Sequence, residues 1–234
     1  MEENDLLELL DSDEKPFKEE EKSSNKGNFK TQRVSLWDKL DFKPCKLELD
    51  KMAKSGKSYS WYVYLTEQSI PDEVVNKIEA LAKALGKKDF VFRTIADKTD
   101  KVGNKILALE DCKKEIYLPW AKFNESYPEP VLKYPTQTGY EICKAYMKGF
   151  EKCPAAVRAI NSAYAHTMVG KDGNNQIDFL ICYTEGGAEG FGKGFDFKKE
   201  GRLGYFISMC NELNIPIFNL KKEESFKRLV KILS

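Results

Sequence analysis

One stretch of the chain carries most of the residue types that could bind a charged ligand: residues 177–220, IDFLICYTEGGAEGFGKGFDFKKEGRLGYFISMCNELNIPIFNL. An apolar run, Ile177–Tyr183, predicts a buried strand, and a helix is predicted over about Leu203–Leu213, with glycines between the two. Glycines where a strand passes into a helix let backbone N–H groups approach a phosphate closely. The stretch therefore predicts an anion or nucleotide site, with these candidate ligand-binding residues: Thr184, Glu185, Gly186, Gly187, Gly201, Arg202 and Gly204.

Further candidates follow the other predicted strands, because ligands of a parallel sheet lie outside the carboxyl ends of its strands. These candidates are Ser69, Arg93, Thr94, Asp97 and Trp120. The indole of Trp120 is suited to stacking on a base. Each candidate also has an ordinary structural interpretation, for example a flexible insertion for the glycines, a surface position for Arg202 and a plug beneath a loop for Trp120.

The rest of the sequence predicts the elements that would position these residues. Apolar and β-branched runs predict five strands, at Ser58–Thr66, Asp89–Thr94, Lys114–Leu118, Ile177–Tyr183 and Ile215–Leu220. Helical spacing predicts helices from a Ser69 cap to Gly86, and over about Lys98–Glu110, Gln137–Phe150, Pro154–Ala165, Leu203–Leu213 and Ser225–Leu233. Apolar strands that alternate with helices predict an α/β fold, a Rossmann-like and mostly parallel sheet covered by helices on both faces.

The composition of the first 57 residues differs from that of the rest. Residues 1–28 are rich in charged and small polar side chains, which predicts a disordered acidic tail. Within it, Asp5–Leu10 (DLLELL) has the pattern of a short helix that docks on a partner protein, and a fraying acidic segment is the alternative. Residues 29–57 are too apolar for a linker and predict an arm packed on the body. Residues 58–234 form the predicted Rossmann-like domain.

Charge and composition limit the classes of ligand. The 234 residues carry a net charge of +1, but residues 1–30 hold ten acidic side chains against five lysines, so the remainder is mildly basic. This favours a phosphorylated small molecule and makes duplex nucleic acid an improbable partner. Six cysteines without a CxxC spacing and a single histidine, His166, predict no metal site and no cofactor. His166 has no identifiable carboxylate partner, and we interpret it as a packing residue in a loop or at a helix end.

No apolar run approaches the length of a membrane span, so we expect no membrane association and a cytoplasmic location.

Several segments resemble the SLOG superfamily of Rossmann-like domains, which includes lysine-decarboxylase-like proteins, the Lonely-guy phosphoribohydrolases and a DNA-processing recombination mediator. The segments are EIYLPWAKFN (115–124), His166–Gly170, DFLICYTEGG (178–187), EGRLG (200–204) and IPIFNL (215–220). The resemblance runs from about Ser58 to Leu220. It implies a phage or bacterial protein, which for a phage protein means a location in the cytoplasm of the host. It also implies a nucleotide-like ligand at the glycine turns, and a homodimer, since proteins of this superfamily often form dimers.

The glycine turns depart from the family's pattern. Glu67-Gln68-Ser69 stands where the family has Gly-Ser-Arg, and Arg93–Asp100 contains no glycine. The later turn keeps its first and last glycines as Gly201-Arg202-Leu203-Gly204, and an aromatic insertion, Ala188–Glu200, precedes it. Side chains at the first two turns block the approach of a phosphate. We therefore expect a remodelled site without catalytic activity.

Three functions remain open. The first is binding of a nucleotide or a nucleotide-derived signal by the loop from Gly186 to Gly204. The second is an adaptor that kept the fold and holds a protein partner through the N-terminal tail or residues 188–200. The third is a hydrolase of N-glycosidic or phosphoester bonds in nucleotides, with Glu67, Asp97 and Glu200 as its acids.

Overall fold

Five parallel strands form the sheet of this protein, for which a computed structural model describes residues 60–65 (backbone only), 70–97, 99–123, 129–192 and 195–233. The strands are β1 (Ser60–Leu65), β2 (Val91–Thr94), β3 (Lys113–Ile116), β4 (Phe179–Tyr183) and β5 (Ile217–Asn219). Their order across the sheet is β3-β2-β1-β4-β5. The predicted tail and arm, residues 1–57, lie outside the described residues, as does Ser69.

The strand order reverses at β1. The chain first builds from β1 to β2 and β3 on one side, and then returns to add β4 and β5 on the other. In register, Trp61 of β1 stands opposite Phe92 of β2 and opposite Phe179 of β4. The prediction of an α/β fold with parallel strands is confirmed.

Seven α-helices connect the described strands or follow them. They are α1 (Asp72–Gly86), α2 (Lys101–Leu107), α3 (Gln137–Tyr146), α4 (Ala155–Val169), α5 (Phe197–Glu200), α6 (Leu203–Glu212) and α7 (Glu223–Leu233), with a 3-10 turn at Phe150–Lys152. The first helix forms because apolar residues recur every three or four positions and all face the core, while Asp72 and Glu73 complement the positive N-terminus.

Helix ends are where the sequence-based predictions differ most from the structure. Helix α1 begins after Pro71, which makes no side-chain cap, instead of being capped by Ser69. Helix α2 is shorter than predicted because the Asp100 carboxylate caps it, accepting hydrogen bonds from the N–H groups of Val102 and Gly103. Helix α3 ends at Tyr146, before a left-handed residue at Gly149 (φ 80°). Helix α4 extends beyond its predicted end to Val169, and α5 was not predicted.

The sheet lies between two apolar layers. One contains buried residues of α3, α4 and α6, and the other contains buried residues of α1, α2 and α7. Strand β4 contributes to both because its side chains alternate: Leu180 and Cys182 belong to the first layer, Phe179 and Ile181 to the second. This arrangement buries the middle of β4 completely and leaves its carboxyl end to carry polar residues.

None of the helices in the described ranges is both long enough and apolar enough to cross a bilayer.

Candidate ligand-binding site

A cleft of about 430 Å³ opens outside the carboxyl ends of β4 and β5. Its volume lies within the range of about 300–1,000 Å³ that is typical of small-molecule sites. The loop after β4 supplies most of the wall, and Asn211 of α6 and Lys222 after β5 supply the rest. The lining residues are Gly186, Gly187, Ala188, Glu189, Gly190, Phe191, Gly192, Phe195, Asn211 and Lys222.

Thr184, the residue that follows β4, holds the start of this loop. It is fully buried, and its hydroxyl donates a hydrogen bond to the carboxylate of Glu200. The same oxygen accepts hydrogen bonds from Asn219 Nδ2 at 2.6 Å and from the N–H of Gly187 at 3.2 Å. The hydroxyl is therefore fully engaged within the fold, which removes it as a nucleophile.

Glu200, at the end of α5, lies behind the cleft-lining residue Gly186. Its carboxylate is fully buried and also accepts a hydrogen bond from the N–H of Ala188 at 3.3 Å. A Cβ at Gly186 would overlap Glu200 Oε1. A glycine is thus required at position 186 so that the chain can pass over its own buried carboxylate.

Glu189 ties the loop to the C-terminal helix. Its Oε1 accepts hydrogen bonds from Ser225 Oγ at 2.5 Å, from Arg228 Nη2 at 2.5 Å and from the Asn219 N–H at 3.2 Å. Lys222 Nζ lies 3.8 Å from the other carboxylate oxygen, Oε2. The loop is therefore fixed at Thr184 and again at Glu189.

Aromatic rings form one end of the cleft. Phe191 is 53% exposed, and its ring centroid lies 4.7 Å from that of Phe195. Phe195 packs perpendicular to Phe197 at 4.8 Å, and Phe197 contacts Tyr205 at 5.2 Å. Asn211 Oδ1 accepts a hydrogen bond from the Phe191 N–H at 3.1 Å. An exposed, positioned phenyl ring of this kind can stack on a planar ligand.

The residues after β4 that were predicted to bind a ligand form two groups, of which the first is Thr184–Gly187. Gly186 and Gly187 line the cleft, with Thr184 behind them and Glu185 exposed beside them. Gly187 has a φ of +65°, a conformation that favours glycine, and its N–H bonds to Thr184.

The later glycine turn serves packing and lies outside the cleft lining. Gly201 (φ +60°) ends α5, and Arg202 is exposed at the start of α6. Gly204 is buried beneath Phe197, whose ring carbon would lie 2.7 Å from a Cβ at this position.

The predicted residues of β2 do not line the cleft either. Arg93 is almost fully buried, and its guanidinium donates to Glu115 Oε2 at 2.7 Å and to the carbonyl of Asn175 at 2.6 Å. Thr94 Oγ1 accepts a hydrogen bond from the N–H of Ala96, a buried residue with φ +59°.

The last two candidates that follow the other strands, Asp97 and Trp120, contact residues close to them in the sequence. Asp97 accepts hydrogen bonds from both the N–H and the hydroxyl of Thr99, each at 2.8 Å. The rings of Trp120 and Phe123 are perpendicular, with centroids 4.8 Å apart. Their predicted part in ligand binding, like that of Arg93 and Thr94, stays a prediction.

His166 lies buried near the end of α4. Its Nδ1 is 2.9 Å from the carbonyl of Gly170, and its Nε2 accepts a hydrogen bond from the Thr136 N–H at 3.1 Å. The ring stacks on Tyr117 at a centroid distance of 6.3 Å. Only a neutral imidazole with its proton on Nδ1 satisfies both bonds. Burial lowers the pKa of His166, which agrees with a packing residue.

Thiol and metal chemistry find little support. Burial raises the pKa of the Cys143 thiol to about 12 and the pKa values of Cys182 and Cys210 well above their usual range, so these thiols are inert at neutral pH. Within the described part of the chain, no group of three or more His, Cys, Asp or Glu side chains could hold a metal ion.

Sequence reasoning missed Glu189, Asn211 and Lys222 as cleft residues. Lys222 follows β5 closely, so the rule of strand ends could have found it. Asn211 lies in the last turn of α6 and carries no local signal. Together the cleft offers an exposed ring, an amide, an ammonium group, glycine backbone and the Glu189 carboxylate, whose charge is paired with Arg228. These groups suit a small planar ligand with polar substituents. Comparisons of the chain with protein-family models, curated proteins and solved structures found no match.

Proposed function

We propose that this protein binds a nucleotide-like small molecule in the cleft beside β4 and β5. The observation that carries the proposal is the position of that cleft, outside the carboxyl ends of parallel strands and walled by glycines and an exposed phenyl ring. Nucleotides bind at this edge of α/β sheets. Phe191 would stack on the base, and the loop from Gly186 to Gly192 would face the polar part of the ligand.

In this proposal the domain is a Rossmann-like member of the SLOG superfamily whose glycine turns have been remodelled. The strand order β3-β2-β1-β4-β5 supports it, because the doubly wound dinucleotide-binding fold has the same order for its first five strands. The buried bond between Thr184 and Glu200 and the overlap at Gly186 support remodelling, since the loop packs on its own side chains.

Binding is favoured over hydrolysis because the described candidate acids are engaged in structural contacts. Glu200 is fully buried and bonded to Thr184 and Ala188, and Asp97 closes a local turn with Thr99. A general acid needs access to the leaving group in a plausible substrate pose.

The proposal is tested by thermal shift and calorimetry against nucleosides, nucleoside mono-, di- and triphosphates, cyclic nucleotides and ADP-ribose. A compound present at 100 times its Kd should raise the free energy of unfolding by about 2.7 kcal/mol.

Phe191→Ala should weaken binding by about 1–3 kcal/mol through the loss of stacking. Tyr134→Ala, which removes a ring that is 61% exposed and outside the cleft lining, is the control. Absence of binding across the panel would overturn the proposal.

A second candidate function, an adaptor that holds a protein partner, is favoured by the exposed rings of residues 188–200. Phe191 and Phe197 are 53% and 43% exposed, and their ring centroids lie 6.2 Å apart. Phe197→Ala alters this surface outside the cleft lining. If the protein is an adaptor, this variant should lose the partner, whether that partner is another protein or a second copy of this chain. A pull-down and sedimentation equilibrium measure the two cases.

A further inference from the structure

Lys222 is the cationic side chain among the residues that line the cleft, and its ammonium group is held loosely. Nζ lies 3.8 Å from Glu189 Oε2, at the outer limit of an ion pair, and the side chain is 51% exposed. Exposed ion pairs of this length contribute little to stability. The ammonium group can therefore leave Glu189 at small cost.

The negative charge of Glu189 stays balanced when the Lys222 ammonium group moves away from it. Arg228 Nη2 lies 2.5 Å from Oε1, and the same oxygen accepts hydrogen bonds from Ser225 and from the backbone of Asn219. A carboxylate with a close guanidinium partner needs no second cation to balance its charge. Lys222 is thus a surplus positive charge at this carboxylate.

The stem of Lys222 lies along the glycine wall of the cleft. Its Cε is 3.8 Å from the place where a Cβ at Gly187 would stand, and Cγ and Cβ of Lys221 lie 3.5 and 3.6 Å from the same place. The neighbouring Lys221 has a different environment, because its Nζ lies over the Tyr183 ring at 5.8 Å and the residue is outside the cleft lining. Two adjacent lysines of equal charge therefore differ in their access to the cleft.

We propose that Lys222 selects for an anionic ligand: it exchanges Glu189 for a phosphate group whose attached base stacks on Phe191. The inference rests on the proposed nucleotide-binding function and specifies its substrate class as phosphorylated nucleosides. The cleft then prefers a nucleoside monophosphate over the corresponding nucleoside. Because the contact is between charges near the surface, this preference falls as ionic strength rises.

The test compares matched pairs, adenosine with adenosine monophosphate and guanosine with guanosine monophosphate, by calorimetry on the full chain. Wild type should bind the monophosphate of at least one pair about tenfold more tightly than its nucleoside, the factor that corresponds to one good charge contact. Lys222→Met should abolish the preference by lowering the affinity for the monophosphate more than the affinity for the nucleoside. Lys222→Arg and the control Lys221→Met should retain it.

The outcomes separate the two proposals. Equal affinity for both members of each pair in wild type, or a preference that survives Lys222→Met, overturns the role of Lys222 and leaves nucleotide binding intact. Loss of nucleoside affinity in Lys222→Met to the same degree as monophosphate affinity also overturns it, because the variant would then have altered the cleft as a whole. If none of the four compounds binds, the proposed binding of adenosine and guanosine nucleotides is overturned, and the role of Lys222 is overturned with it.

Discussion

Position 186 requires a glycine because another side chain of the same protein fills the space beside it. The buried carboxylate of Glu200 occupies the space where a Cβ at position 186 would stand, and it is held there by Thr184 and Ala188. The carboxylate could move aside only by giving up both hydrogen bonds, and a buried carboxylate without donors is costly.

We predict that Gly186→Ala lowers the free energy of unfolding by about 2 kcal/mol, because overpacking and a lost buried hydrogen bond act together. Gly192→Ala is the matched control in the same loop, since a Cβ there would contact no atom within 4 Å. It should change stability by less than about 0.5 kcal/mol. Urea unfolding of both variants measures this, and equal stabilities would contradict the packing role of Gly186.

The glycine pattern predicts a ligand site at these turns, and the structure adds a packing reason for a glycine at positions 186 and 204. A glycine that admits a phosphate and a glycine that admits a distant carboxylate look identical in one sequence. Glu200 reaches Gly186 only after the chain has passed through the aromatic insertion and turned back. That contact depends on tertiary structure, which local spacing does not encode.

Strands β2 and β3 are joined by more than their backbone ladder. Arg93 and Glu115 are register partners, and the nearly buried guanidinium donates to the partly exposed carboxylate. The Tyr117 hydroxyl donates to the same carboxylate oxygen at 2.9 Å. Strand β3 is short, with Lys113 at its exposed start, so this polar contact contributes to fixing its register.

We predict that Glu115→Ala destabilises the fold by about 3 kcal/mol, since it leaves the Arg93 charge buried without its carboxylate. The control is Lys113→Ala, two residues earlier on β3. Lys113 pairs with Asp89 at 2.7 Å, but both side chains are more than half exposed. Its loss should cost at most about 0.5 kcal/mol. Chemical denaturation of the two variants decides, and a similar small effect from both would show that the buried pair is dispensable.

Elements were easier to predict than their ends. The five strands and most helices follow from apolar runs and helical periodicity, whereas α2 begins three residues later than predicted because Asp100 caps its N-terminus. Asp97 and Asp100 are both suitable caps by residue type. The choice between them is made by the Asp97 side chain, which bonds to Thr99 instead.

The chain has one histidine, so the molecule's imidazole titration belongs to a single buried group. Burial holds the pKa of His166 below its ordinary value of 6.5, and the nearby charge of Asp172 acts in the opposite direction with a smaller effect. The unfolded chain therefore binds this proton at a higher pH than the folded chain does. Stability is complete above pH 6.5 and falls as the pH drops from 6.5 towards the folded pKa.

We predict that the free energy of unfolding declines between pH 7.5 and 5.5 and that His166→Gln flattens this decline. The single imidazole signal in a proton NMR titration gives the folded pKa directly. A midpoint at or above 6.5, or an equal decline in the variant, would contradict the prediction.

The order of the strands could not be predicted from residue patterns. Periodicity indicates where a strand lies and whether it is buried, but β1 and β4 have no local feature that makes them neighbours. Their pairing depends on the return of the chain after β3, which places Leu180 and Ile181 between two layers of helices. That the strands form a parallel sheet was predictable, because fully apolar strands need cover on both faces.

The pairing of Trp61 with Phe179 also has a consequence for biosynthesis. The middle of the sheet joins β1 and β4, which are far apart along the chain. Bringing them together costs loop-closure entropy, and this slows folding. A growing chain on the ribosome can form β1, β2 and β3 early, but the edge of β1 that faces β4 stays unpaired until synthesis has passed Tyr183. During that interval the nascent protein exposes an open strand edge, the kind of surface that chaperones protect and that aggregates form on.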